Sequence, residues 1–222
     1  RFPGAGTVPT GLPLPPAVVT GAATFRGNPV RHQRAGTLLA ADADPVTGRL
    51  YVVWEDARFR TDAANDAVLA FSDDAGLTWS APVRVNGGPS GDNVDHYNPS
   101  IAVARDGTVD VVWRQRRESP SGDVTTYSTA VDTYLARSHD RGVSFGPALK
   151  VNRAPSDTRF GAFSRGGLFQ GDYDQVATAG GLTYVVRCES SAPSRSTPAP
   201  DVPSATTPHH QVTWVAVVGT AR

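Results

Sequence analysis

Several things are scarce in this chain, and each scarcity closes off a class of function. One cysteine, Cys188, in 222 residues rules out an internal disulfide. Without a CxxC pair or a Cys/His cluster, neither a thiolate metal centre nor dithiol redox chemistry can be built. Methionine is absent, so the chain is expected to be a processed or excised piece of something longer. Lysine occurs once, at Lys150; the other basic residues are arginines, a skew that GC-rich coding explains as readily as carboxylate recognition does. Neither sign of charge is in excess, with Lys+Arg and Asp+Glu at 21 each, so no net field draws the chain onto nucleic acid or an anionic membrane surface. No apolar run approaches the ~20 residues that span a bilayer, and there is no basic-then-apolar leader. The expectation is therefore no nucleic-acid partner, no membrane partner, no cofactor and no metal.

What is present is turn chemistry and valine. With 22 Gly and 18 Pro, 39% hydrophobic residues, and valines and aromatics in short runs between turn residues, the chain reads as all-β with few helices, large enough to bury a core. A repeat organises it. LLAADADPVTGRLYVVWEDAR (38–58) with DAVLAFSDDAGLTWSAPVRVN (66–86) matches PSIAVARDGTVDVVWRQRR (99–117) with DTYLARSHDRGVSFGPALKVN (132–152). A third copy runs DYDQVATAGGLTYVVRCES (172–190) and, after an insertion, HQVTWVAVVGTAR (210–222). Each copy opens with a short apolar strand, turns at Thr47-Gly48, Asp106-Gly107 or Gly180-Gly181, and returns through a β-rich run, which is a hairpin signature. A third strand, a polar turn and a short fourth strand ending in Val-Asn follow in the first two copies. Four antiparallel strands per copy at this length predict propeller blades, at about 38–86, 99–152 and 169–222. Burial of both faces of each blade explains the nearly continuous apolar character of the strands. Residues 1–30, Pro/Gly-punctuated, are expected to be an extended arm, and 190–208, rich in Ser, Thr, Pro and Ala, a mobile insertion within the third blade.

Two turns share one pattern, S-x-D-x-G-x-[TS]-[WF]: SDDAGLTW at Ser72–Trp79 and SHDRGVSF at Ser138–Phe145. Asp74 and Asp140 can accept from backbone N–H groups of the turn, Gly76 and Gly142 supply a positive φ, and Trp79 and Phe145 re-enter the core, while Ser72 and Ser138 open the motif. Two such boxes in register with a four-strand repeat resemble the BNR, or Asp-box, repeats of sialidase-like propellers. The resemblance covers roughly residues 30–222, and the phrases GRLYVVWED, DGTVDVVW and FQGDYDQVATAGG look like bacterial, extracellular members. It implies a six-bladed parent of which about three blades are here, a secreted location, and box residues on the outer rim with a structural role.

The resemblance also implies where chemistry would lie. Sialidases use a Tyr nucleophile assisted by a Glu, an Asp acid/base and three arginines that grip the substrate carboxylate. Tyr173 opens the innermost strand of the third blade and Glu189 closes the next strand, an order similar to the nucleophile and its Glu in the family; the alternative is a structural GDY tyrosine and an exposed strand-end acid. Repeat alignment sets Trp54 against Trp113 and Arg187, Asp56 against Gln115 and Glu189, and Arg58 against Arg117, near the mouths of the second strands. Arg58 and Arg117 are candidate contacts for an anionic substrate, or else members of a surface network with Glu55, Asp56 or Glu118. The family's first arginine and its Asp belong to earlier blades. FRGNP at 25–29 keeps only part of the expected arginine motif, so a complete sialidase site is not expected here. Asp92, Asn93, Asp95 and His96 could supply oxygen ligands for Ca²⁺ but lack EF-hand spacing and read as a between-blade connector. His209-His210 reads as solvent-exposed, and no G-x-S-x-G elbow occurs. The reading favoured is a module binding carbohydrate or protein, associated with further blades or with itself; the alternative is a fragment of an exo-sialidase-type glycoside hydrolase.

Overall fold

The computed structural model describes residues 38–62, 64–117, 129–164, 167–171, 173–192 and 210–219. The expected arm at 1–30, the FRGNP phrase and the insertion from 193 onward lie outside the described residues. The first sheet is a meander of β1 (Leu39–Ala43), β2 (Leu50–Asp56), β3 (Asp66–Ser72) and β4 (Val83–Arg84). The second repeats it with β5 (Val94–Val103), β6 (Val109–Arg117), β7 (Ala130–Ser138) and β8 (Leu149–Lys150), plus β9 (Ser156–Asp157) paired to the start of β7. A short 3₁₀ turn, Thr158–Phe160, and the pair β10 (Ala162–Ser164) and β11 (Gly167–Phe169) lead to the third sheet. There β12 (Gln175–Ala179), β13 (Leu182–Ser190) and β14 (Gln211–Gly219) are antiparallel, and no fourth strand follows among the described residues.

Local chemistry explains why the strands turn where they do. In the first hairpin Asp44 Oδ1 accepts from Val46 N and Thr47 N, and Gly48 takes φ +78, which a side chain would strain. In the box turns Ser72 Oγ donates to Asp74 and accepts from Gly76 N at 2.9 Å, while Asp74 accepts from Thr78 N and its hydroxyl. Ser138, Asp140, Gly142 and Ser144 repeat every one of those bonds. These hydrogen bonds, the Thr78 and Ser144 hydroxyls first, hold the Asp74 and Asp140 carboxyls down at about 2. The residue before each glycine, Ala75 or Arg141, is also left-handed, at φ 60 and 59. The repeated Val-Asn has its own function in the sheet: Asn86 Oδ1 accepts from Ala67 N and Asn152 Oδ1 from Thr133 N, both at 2.8 Å, finishing the ladder where the fourth strand stops.

The sheets stack face to face in chain order. Val111 and Trp113 of β6 pack with Tyr51, Val53 and Leu69 of the first sheet, whereas Val112 of β6 and Leu135 of β7 pack with Val185 of the third. Alternate residues of one strand thus serve two different cores, and complete burial of a valine or leucine stabilises by about 1.5–3 kcal/mol. The long strand β5 lies against β1 and β2 on one side and β12 on the other. The leading strand of each sheet therefore faces a common axis, and the architecture is a sector of a β-propeller.

One expectation changes. The stretch read as a connector at 90–100 becomes the first half of β5 from Val94, paired with Arg114–Arg117 and buried throughout. Its polar residues hid the strand, since a register shift between Tyr97 and Ser100, with Asn98 at φ 50, breaks the alternation that marks a strand.

Candidate functional site

Antiparallel register divides the chemistry between two ends. Leu50 pairs with Ser72 and Val109 with Ser138, so both box turns lie where β3 and β7 finish. Asp56 pairs with Asp66, Val94 with Arg117 and Ser190 with Gln211 at the opposite end. That strand-end face collects most of the buried charge among the described residues, with Asp44 and Asp110 at the other end.

In the first sheet Arg60 is the hub. Its guanidinium meets Asp62 at 2.6 Å, Asp92 at 2.7 Å and Asp66 at 3.2 Å, and Asp66 Oδ1 also receives Arg84 and Asn86. Burial opposes the Arg60 charge, but Asp62 and Asp92 outweigh it and raise its pKa. Asp66 Oδ2 stays buried without a hydrogen-bond partner. His96, on β5, is kept neutral because burial lowers its pKa, although the Asn65 carbonyl 2.9 Å from Nδ1 pulls the other way. Asp95 accepts from both nitrogens of Asn65.

Nearer the axis, Glu55 is 1% exposed and accepts from Asn98 N at 2.8 Å. Burial, with the Asp95 charge adding to it, pushes the Glu55 carboxyl well above the usual range, against the pull of the Asn98 N–H. Asn98 reaches Gly171 O with Nδ2 at 3.4 Å while its Oδ1 is buried and unpartnered. Between the second and third sheets, Arg114 is gripped in a bidentate bond by Asp174 at 2.5 and 2.6 Å, with Gln170 Oε1 and Cys188 O completing the cage. Burial disfavours that charge, yet Asp174 overrides it and the Arg114 pKa rises.

The residues singled out from sequence fall around this face. Tyr173 stands just ahead of β12, 75% exposed. Glu189 accepts from Arg187 Nε at 2.7 Å, and no hydrogen bond joins it to Tyr173. Arg58 folds back onto Asp56 at 2.7 Å and over the Trp54 ring, and Trp54 Nε1 donates to the same carboxylate. Of its expected partners, then, Asp56 engages Arg58 while Glu55 turns to Asn98. Arg117 is exposed and donates to Asp92 O at 3.2 Å; Glu118 lies outside the described residues. Asp92 Oδ1 accepts from Val94 N as well as Arg60, and among the described residues no cluster of three or more His, Cys, Asp or Glu is placed to hold a metal. Arg60, Asp66, Asn98, Arg114 and Asp174 are the members that sequence reasoning passed over, and Glu55 entered it only as a surface partner for Arg58 or Arg117. The signal for Arg114 was there: it shares a strand face with Val112, so it points into a core.

On its own geometry, radial sheets with a polar strand-end face, the chain has a β-propeller fold, present in part. No protein-family profile matches the chain, and no curated protein matches it. Among solved structures a Hadza microbial sialidase is similar at 20% identity, over 72% of this chain and 33% of its own, with a TM-score of 0.48. The phage phi92 endosialidase is similar at 16% identity, over 79% and 26%, with a TM-score of 0.47. The NanB sialidase from Streptococcus pneumoniae is similar at 10% identity, over 80% and 44%, with a TM-score of 0.45. The chain spans about a third of the length of the first of these and about a quarter of the second.

Proposed function

We propose that this chain is a non-catalytic Asp-box propeller module of an extracellular protein that binds carbohydrate through its strand-end face. The observation behind this reading is that four of the arginines there are already matched by carboxylates of the same chain. Arg58 is held by Asp56, Arg60 by three aspartates, Arg114 by Asp174 and Arg187 by Glu189. Gripping a sialic-acid carboxylate in a bidentate bond requires guanidinium edges aimed at the ligand, whereas these are aimed at the protein. The exposed elements of that face, Tyr173, Phe59 and Arg117, offer aromatic area and hydrogen-bond donors to a sugar, a combination suited to holding a ligand without reacting with it.

A second reading keeps the exo-sialidase fragment, on the exposure of the Tyr173 ring at the entrance to β12. There Tyr173 would be the nucleophile and Glu189 its partner, released from Arg187 when substrate binds, with Arg58 and Arg117 contacting the substrate. Two measurements on the full chain separate the readings. Calorimetric titration with sialylated and neutral oligosaccharides is expected to show binding that Arg117→Ala weakens by about tenfold, roughly 1.4 kcal/mol, with no release of fluorophore from a fluorogenic sialoside. Turnover abolished by Tyr173→Phe would replace the binding reading with the hydrolase; absence of both binding and turnover would remove both.

A further inference from the structure

We propose that the crevice between the second and third sheets, at the box-turn end, is a separate ligand site shaped for a neutral monosaccharide. It does not depend on the strand-end reading, because it opens at the opposite end of the strands. The cavity is about 410 Å³, at the small end of the ~300–1,000 Å³ typical of small-molecule pockets, and so takes one or two sugar rings.

Its floor is polar and fixed in place. Asp110, 1% exposed, accepts from Arg137 Nε at 2.7 Å and from Nη2 at 2.9 Å, and the Thr183 hydroxyl donates to the same carboxylate while accepting from Arg137 Nη2. Arg137 Nη1 reaches Gly219 O at 3.3 Å. Four of the five guanidinium N–H groups are thus engaged among the described residues, and the fifth is on Nη1, away from the edge that Nε and Nη2 turn to Asp110. A single N–H donor held in place on the Arg137 side of the cavity is what one sugar hydroxyl can accept from.

The walls differ in kind. Val103 and Ala104 at the end of β5 and Leu182 at the start of β13 give an apolar surface, against which the C–H face of a pyranose can lie. At the rim Arg105 and Asp106 are both exposed. Arg105 and Arg137 balance Asp106 and Asp110, so the lining has no net charge and gives no advantage to an anion. Pro45 brings the first hairpin to the same opening, so hairpins of all three sheets border it.

The test is an amide chemical-shift titration of the full chain with D-galactose, and with D-glucuronate and inorganic phosphate as charged probes. Galactose is expected to shift the amides of Thr108, Gly181 and Thr183, phosphate to leave them unmoved, and glucuronate to bind more weakly than galactose. Ala104→Phe, which fills the cavity, should weaken galactose binding by about tenfold or more. Leu182→Phe fills it from the other wall should Ala104→Phe not fold. Absence of galactose shifts at those amides, shifts that survive both filling variants, or phosphate moving them as strongly as galactose would each overturn the proposal. Shifts confined to the strand-end residues would overturn it too, while leaving the strand-end reading intact.

Discussion

Glu55 shows what a single side chain costs and does in this fold. Its carboxyl is buried, bonded to one backbone N–H and held above the ordinary 4.5. In the folded protein it keeps a proton that the unfolded chain releases, so its stability contribution is intact below about pH 4.5 and is lost as pH rises toward the folded value. Glu55→Gln preserves the acceptor for Asn98 N and removes the ionisation. The variant is expected to melt at higher temperature than the parent at pH 7 and at the same temperature at pH 4, as followed by circular dichroism. No part of this was legible in the phrase VVWED, where Glu55 read as a potential partner of Arg58; only the packing of β2 against the bulge at Asn98 of β5 puts it in a dry place. The box residues were legible because their chemistry is local: Ser72, Asp74 and Gly76 bond within eight residues of one another, and so do Ser138, Asp140 and Gly142.

Among the elements, β6 joins one core to the other. One face of it supplies Val111 and Trp113 to the first core, and the other supplies Val112 to the second and Arg114 to Asp174, ahead of β12. Removing the charge of Asp174 leaves a buried guanidinium without compensation, a loss on the order of 3–5 kcal/mol. Asp174→Asn is therefore expected to lower the denaturant midpoint sharply, and Arg114→Met combined with it to recover a large part of the loss. Near-additive losses would show that the pair is not coupled. The hairpins, the Val-Asn strand ends and the four-strand repeat of the first two sheets could be read from spacing because period-2 alternation and turn residues are local signals. The start of β5 could not, since a bulged, polar, fully buried strand carries neither signal. The Arg60 and Arg114 clusters could not either, because at their farthest they join residues 32 and 74 positions apart, with one partner in each case set by the stacking of whole sheets. By the same reasoning Arg60, two residues from the singled-out Arg58, was indistinguishable from it in sequence.

At the scale of the whole molecule, among the described residues the second sheet is covered on both faces and the third on one. On the far side of the third sheet Tyr184 pairs with Val217 and Val186 with Val215, and those two β14 valines are 56% and 57% exposed. An apolar face at the edge of an open sector favours association with another copy or with further blades. We propose that the isolated chain self-associates, and sedimentation velocity is expected to show species larger than the monomer as concentration rises; a single monomeric boundary at every concentration would count against it. The sheets follow one another radially about an axis, and adjacent residues of β6 report on that order directly. In methyl NOE spectra of the full chain, Val111 is expected to show contacts to Val53 and Leu69, and Val112 contacts to Val185, each to its own neighbour. A Val112 methyl with no partner beyond its own sheet, or one sharing the contacts of Val111, would mean two layers in place of three wedges about an axis.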